Sequence, residues 1–174
     1  SLSVGRRLGK IEQLERAEGF DLGLRVFVGQ RQAVVSSTDP APAGFAALAE
    51  RAVAMARAVP EDPFAGLPEA PDGLVAVDLD LADRGAEPTA EALIARAAAA
   101  EEAALTVAGV TNSEGAEAGW SRATIALAAS NGFAGEYART GHSVSATALA
   151  GQGTGMERDY EYSTAVHLSD LEDA

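Results

Sequence analysis

Four prolines, Pro60, Pro63, Pro68 and Pro71, fall with Gly66 and Gly73 inside residues 60–73. Proline fixes φ and carries no amide hydrogen, so neither a helix nor a central strand can run through such a stretch. The chain must therefore be built as two halves joined by a loop or extended connection. We expect sub-units over residues 1–59 and 88–162, with 60–73 between them.

Each half combines strands with one helix. Leu2, Val4 and Leu8 share one face of a period-2 pattern, Gly9-Lys10 can turn the chain, and Ile11–Ala17 resumes it. Leu22, Leu24, Val26 and Val28 alternate with Gly23, Arg25 and Phe27 as a half-buried strand, and Gln30-Arg31 leads into Gln32–Ser37. These segments predict one antiparallel meander. Thr38-Asp39-Pro40 signals a helix start, Phe45, Leu48, Ala52, Met55 and Val59 form its apolar stripe, and Pro60 ends it.

Beyond the prolines, Val75, Val77, Leu79 and Leu81 alternate with Asp78 and Asp80, an extended stretch with one wet face. A second helix starts near Pro88-Thr89, with Leu93, Ala97, Ala100, Ala104 and Val107 inward, and stops at Gly109. Glu91, Arg96, Glu101 and Glu102 mark its outer face. Strands return from Val110, with a hairpin at Asn131-Gly132, a turn at Thr140-Gly141 and a return along Ser143–Ala150. Ser163–Ala174 reads as a helix beginning. Glu18-Gly19-Phe20 and Asn131-Gly132-Phe133 have similar sequels, which fits either duplication or chance likeness of two hairpins. The expected fold is α+β: antiparallel meander sheets with packed helices, as two related units.

No constellation of reactive residues stands out. The two histidines, His142 and His167, lie 25 positions apart, without the spacing of a metal site, and read as surface or capping residues. Asp78, Asp80 and Asp83 lack the glycine and terminal glutamate of a calcium loop, and alternating Asp more simply marks a solvent face. Gly151-x-Gly153-x-Gly155 is followed by an acidic, strand-like segment rather than by a helix, so it reads as a hairpin connection and not as a phosphate loop. Without cysteine there is no thiolate nucleophile or ligand. The formal charge of −13, from 26 acidic and 13 basic residues, opposes binding to a polyanion. No apolar run approaches the roughly 20 residues of a membrane span, so the expectation is a soluble chain with no membrane or nucleic-acid partner.

The segment Met156-Glu157-Arg158-Asp159-Tyr160 resembles a hallmark of the TldD/PmbA family, of the PmbA (TldE) type. Further stretches agree in order: Glu18–Val26, Ser36–Asp39, Asp62-Pro63, Asp78–Leu81, Thr111–Gly115, Ser130–Gly132 and His167–Leu171. The resemblance covers essentially all of the chain and identifies it as an N-terminal domain, residues 1–174, shortened at both ends; Ser1–Val4 already reads as the inside of a strand.

The resemblance implies a two-subunit, zinc-dependent peptidase of the bacterial cytoplasm. It would degrade or process unfolded peptides, microcin precursors among them, and carries an older label as a modulator of DNA gyrase. The zinc is expected in the TldD-like subunit, whose C-terminal half holds a His-Glu-x-x-x-His helix and a Cys; no residue here matches them. TldD chains have a glycine-rich stretch where this chain has Met156–Tyr160. The expected role is a scaffold that binds its TldD-like partner, dimerises through the full-length protein, and has no catalytic or metal residue in this segment. An extended peptide would add to a sheet edge at Val26–Ser37 or Val144–Ala150. There are two alternatives: a catalytic TldD-type parent, or a non-enzymatic module that binds gyrase.

Overall fold

The computed structural model describes residues 1–69 and 77–172. In order, the elements are β1 (Leu2–Arg7), β2 (Lys10–Arg16), β3 (Leu22–Val28), β4 (Arg31–Ser37), α1 (Phe45–Ala58), α2 (Ala90–Thr106), β5 (Val110–Ala128), β6 (Ala134–Ala150) and β7 (Glu157–Ala165). The fold is α+β, with antiparallel strand pairs in two sheets. One has the order β2-β1-β5-β6-β7 and the other is the hairpin β3-β4. The first forty residues therefore form two hairpins in different sheets rather than one meander. The reason is the pairing of β1 with β5, from Leu2 opposite Trp120 to Arg6 opposite Ala116. Compact units accordingly fall along other lines than 1–59 and 88–162: the β1–β2 hairpin groups with α2 and β5–β7.

In this larger unit α2 packs against β1 and β6. The core consists of Leu2, Val4, Leu93, Ala97, Ala100, Ala116, Ala118 and Val144. Alanines at the contact let the helix lie close to the sheet, and burying Leu93 contributes about 1.5–3 kcal/mol. The helix begins where expected, with the Thr89 hydroxyl accepting from the Ala92 amide at 3.2 Å. Its inner face differs from the expected stripe: Val107 is exposed, and Glu101, expected outside, is only 1% exposed.

Four donors explain the burial of Glu101. Its Oε1 accepts from the Leu8 amide at 2.6 Å and the Ser113 hydroxyl at 2.8 Å. Its Oε2 accepts from Arg6 Nε at 3.1 Å and the Gly9 amide at 3.2 Å. Leu8 and Gly9 both have positive φ, 47° and 79°, as a type I′ hairpin turn requires. Ser113 is buried by a shift of phase in β5: Gly115, at φ 128°, lets Ser113 and Ala116 both face inward. A side chain at Gly115 would stand 3.0 Å from the Arg6 carbonyl.

The expected turn at Thr140-Gly141 is absent, and β6 runs through it. Gly141 instead permits close approach to β5, since a Cβ there would lie 3.3 Å from Ser121 Oγ. With β5 and β7 on either side, Val144–Ala150 is interior and offers no free edge. Ser163–Ala165 completes β7, and the chain then makes one 3₁₀ turn, Leu168–Asp170, in place of the expected α-helix. Residues 77–81 form no strand, and Val77 and Leu79 are exposed, so the expected buried face is missing there; Val75 lies outside the described residues.

In the smaller unit α1 packs on the β3–β4 hairpin, whose turn is Gly29-Gln30, one residue earlier than expected. Leu48, Ala52 and Ala56 are the buried positions of α1, four residues apart, while Phe45 and Met55 remain largely exposed. Asp39 does not cap α1 directly: its Oδ1 accepts from the Ala41 amide at 2.9 Å, ahead of a 3₁₀ turn at Pro42–Gly44. In the expected connection, residues 61–69 form neither helix nor strand, and the Asp62 amide donates to the Gln30 carbonyl at 2.7 Å. Pro71 and Gly73 lie outside the described residues.

Glu101→Ala leaves a guanidinium, two amides and a hydroxyl without their acceptor, so urea unfolding should register a loss of about 3–5 kcal/mol. Burial pushes the Glu101 carboxyl up, but the bonds from Ser113, Gly9 and Leu8 and the Arg6 charge outweigh it and hold it below 4.5. Its stabilisation is present above that value and is lost as pH falls through the lower folded value, so Glu101→Gln should flatten the acid limb of the stability curve. Leu8→Asn, better suited to the left-handed region, should raise stability by up to about 1 kcal/mol in the same assay.

Candidate functional site

The glycine run after β6 builds a tight connection. Gly151 has φ 81°, and a Cβ there would collide with the Gly155 carbonyl oxygen. Ala150 consequently pairs with Glu157 at the start of β7. The sequel is a strand, so no helix terminus is available to hold a phosphate.

This connection delivers Met156, Glu157, Arg158, Asp159 and Tyr160 to one edge of the larger sheet, all five exposed. Residues opposite one another in an antiparallel pair share a face. Asp159, Glu161 and Ser163 pair with Ala148, Ala146 and Val144, which places them on the face covered by α2. Arg158, Tyr160 and Tyr162 occupy the other face. There the Tyr160 and Tyr162 rings stack with centroids 6.4 Å apart, and the Arg158 guanidinium lies 5.7 Å from the Tyr160 centroid. Arg158 Nε also bonds Glu114 on β5; that bond, and then the Glu114 charge, push the guanidinium pKa up.

On the α2 face, a groove of about 450 Å³ separates the C-terminal half of α2 from β6 and β7. Ala103, Ala104 and Val107 form one wall, and Val144, Ala146 and Ala148 line the floor. Asp159, Glu161 and Glu172 add carboxylates, and Ser145 and Ser163 hydroxyls, to a lining otherwise of alanine, valine and the two tyrosines. The β7 backbone beside it is capped by its own side chains: the Tyr160 amide donates to Asp159 Oδ1 at 2.9 Å and the Tyr162 amide to Glu161 Oε1 at 3.0 Å. Two residues apart, these amides lie on the same side of the strand, the side without a neighbour.

A second cluster joins residues that sequence reasoning kept apart. His142 is buried on β6, not at the surface, with Nε2 3.3 Å from Asp83 Oδ2. His167 Nε2 lies 3.0 Å from Asp80 Oδ1. Asp83 accepts from the amides of Gly85 and Leu168, and its own amide donates to Thr140 Oγ1 at 2.7 Å. Thr140 in turn donates to the Val166 carbonyl. The cluster fastens residues 81–85 to β6 and to the end of β7. Sequence reasoning missed Thr140 and the role of Asp83; the signal was a polar Thr-Gly-His inside an alternating strand. Asp78 faces Arg84 and the Asp80 amide. Among the described residues no three His, Cys, Asp or Glu side chains gather to hold a metal ion, and no helix is long and apolar enough to cross a membrane.

Comparison with known proteins adds a framework. The PmbA/TldA metallopeptidase domain 1 matches residues 1–56, and the PmbA/TldA metallopeptidase central domain matches residues 83–174. The chain is 35% identical over 175 residues to metalloprotease PmbA of Escherichia coli and 29% identical over 181 residues to a metalloprotease PmbA homolog of Haemophilus influenzae. Each alignment covers 98% of this chain, which spans only 38% of the relative's length. Among solved structures, TldE from Thermococcus kodakarensis aligns with a TM-score of 0.77 at 15% identity, over 98% of this chain and 38% of that one. A protein from Bacteroides thetaiotaomicron described as a modulator of DNA gyrase aligns with a TM-score of 0.76 at 20% identity, over 99% and 40%. At such identities the structural likeness concerns the fold alone.

The bonds from Leu168 and then Gly85 hold the Asp83 carboxyl below 3.8 against the effect of burial, helped by His142 and His167. Its contribution to stability is present above pH 3.8 and is lost as pH falls through the lower folded value. Asp83→Ala should speed hydrogen exchange at the Gly85 and Leu168 amides at neutral pH. Unchanged exchange there would show that the cluster is not a fastening.

Proposed function

Because this chain belongs to the PmbA/TldD metallopeptidase family, we propose that it is the N-terminal scaffold of a PmbA (TldE)-type subunit. In this reading the full-length protein assembles with a TldD-like partner in the cytoplasm, and the pair hydrolyses unfolded peptides. The partner holds the zinc. When bound there, the ion supplies a Lewis acid and an activated water for amide hydrolysis.

The described residues of this chain do not fit a zinc site. His142 Nε2 lies 3.3 Å from Asp83 and His167 Nε2 lies 3.0 Å from Asp80, and among the described residues no group of three His, Cys, Asp or Glu side chains forms around either. The chain's contribution is to position and to bind.

The observation that carries this reading is where the Met156–Tyr160 segment stands. It lies on an exposed sheet edge beside an open apolar groove, within reach of another chain. Edge strands are ready templates for strand addition, in which main-chain hydrogen bonds give affinity for almost any extended sequence. A peptidase acting on unfolded chains needs that tolerance. Of the two edges expected from sequence, Val144–Ala150 is interior, and β3–β4 within Val26–Ser37 remains available alongside β7.

Elemental analysis of the full-length protein, alone and mixed with its TldD-like partner, tests the assignment. Zinc only in the mixture is the expected result. Stoichiometric zinc in the full-length protein alone would make it the catalytic subunit and overturn the proposal.

A further inference from the structure

We propose that the open edge of β7 docks extended peptides in which basic residues alternate with apolar ones. The inference rests on the peptide-handling role proposed above and names the class of peptide that this edge selects.

The backbone sets the first demand. A strand adding to β7 must take the Tyr160 and Tyr162 amides, which Asp159 and Glu161 now occupy. These caps are exposed, so an incoming carbonyl can displace them. Displacement frees two carboxylates on the α2 face. A neutral guest leaves them without a partner, an acidic guest repels them, and a basic guest pairs with both.

The groove favours the same side chains. A Lys or Arg opposite Asp159 or Glu161 can lay its aliphatic stem over Ala103, Ala104 and Val107 while its head stays at the acidic rim. The other face makes a different demand. Next to the stacked Tyr160 and Tyr162 rings, an aromatic or β-branched guest residue gives the favourable cross-strand pair. Period-2 alternation of the guest meets both demands at once.

Charge also argues against another occupant, a second copy of this chain. Two β7 edges side by side would oppose Asp159 and Glu161 with their counterparts, on molecules each carrying −13. Arg158 does not relieve this, because Glu114 already engages it. The opposite edge, β2, mixes Lys10, Glu12, Glu15 and Arg16 along its length, the charged pattern that discourages pairing.

The test uses the full-length protein and three synthetic peptides of about eight residues, alternating Lys, Ser or Glu with Val. Hydrogen exchange is followed across residues 157–165. The Lys-Val peptide should slow exchange at Tyr160 and Tyr162, with about tenfold tighter binding than Ser-Val, as two cross-strand charge pairs would give. Glu-Val should protect nothing, and raising the salt to about 1 M should reduce the Lys-Val preference. Asp159→Ala with Glu161→Ala, both exposed and outside the core, should abolish the preference and improve Ser-Val binding by uncapping the edge. Equal protection of β7 by all three peptides overturns the inference. So does protection confined to another edge such as β3–β4, an outcome that leaves peptide handling itself intact. If no peptide binds the full-length protein, alone or with its TldD-like partner, the role proposed above fails as well. Protection of β7 by the partner subunit alone, with peptides excluded, assigns the edge to assembly and also overturns the inference.

Discussion

Two backbone amides, a guanidinium and a hydroxyl converge on the carboxylate of Glu101, and the larger sheet is organised around that point. The amides belong to the β1–β2 turn, the guanidinium to β1, and the hydroxyl to the bulged part of β5. One side chain of α2 thus fixes a hairpin, its neighbouring strand and the phase shift that Gly115 introduces. Burying a carboxylate is unfavourable unless its oxygens are satisfied, and here four donors satisfy them. The left-handed conformation of Leu8 is tolerated in the same way, because both turn amides are held from outside the hairpin. The Asp83 cluster repeats the device on a smaller scale, with one carboxylate gathering the amides of Gly85 and Leu168 from separate segments.

How much of the fold is legible in the sequence depends on how local each signal is. The alternation of Leu22–Val28 and the Thr89 cap depend on neighbouring residues only, and both read correctly; the hairpin signalled by Asn131-Gly132 forms too, with its turn one residue earlier, on Ser130-Asn131. Helical spacing puts Glu101 on the wet face, wrongly, because its partners lie more than ninety positions away in the β1–β2 hairpin and twelve away in β5. Thr140-Gly141 imitates a turn by composition, yet its glycine answers to Ser121 across the sheet. His142 reads as a surface residue for the same reason: burial of a polar ring is decided by the segment that covers it, and residues 81–85 are distant in sequence.

The candidate site is legible in a different sense. Its residues are recognisable by resemblance, but nothing in Met156–Tyr160 announces an edge strand, since edge and centre are set by sheet order. The alternation of Asp159, Tyr160, Glu161 and Tyr162 becomes meaningful only once β6 fixes which residues face α2. The same order explains why the matched domains do not coincide with the compact units. The domain 1 match ends at residue 56 and the central-domain match begins at 83, yet β1 and β2 share a sheet with β5, β6 and β7.

That shared sheet bears on how the chain is made. Leu2 pairs with Trp120, so β1 leaves the ribosome long before the strand it must join. At about 5–20 residues per second the delay is several seconds, far longer than the roughly 10 μs in which a hairpin can form. During that interval β3, β4 and α1 have all their mutual contacts and can close, whereas the β1–β2 hairpin exposes Leu2 and Val4 with neither β5 nor α2 to cover them. A hairpin made early is thus among the last of these elements to be secured, and a chaperone holding it would act there.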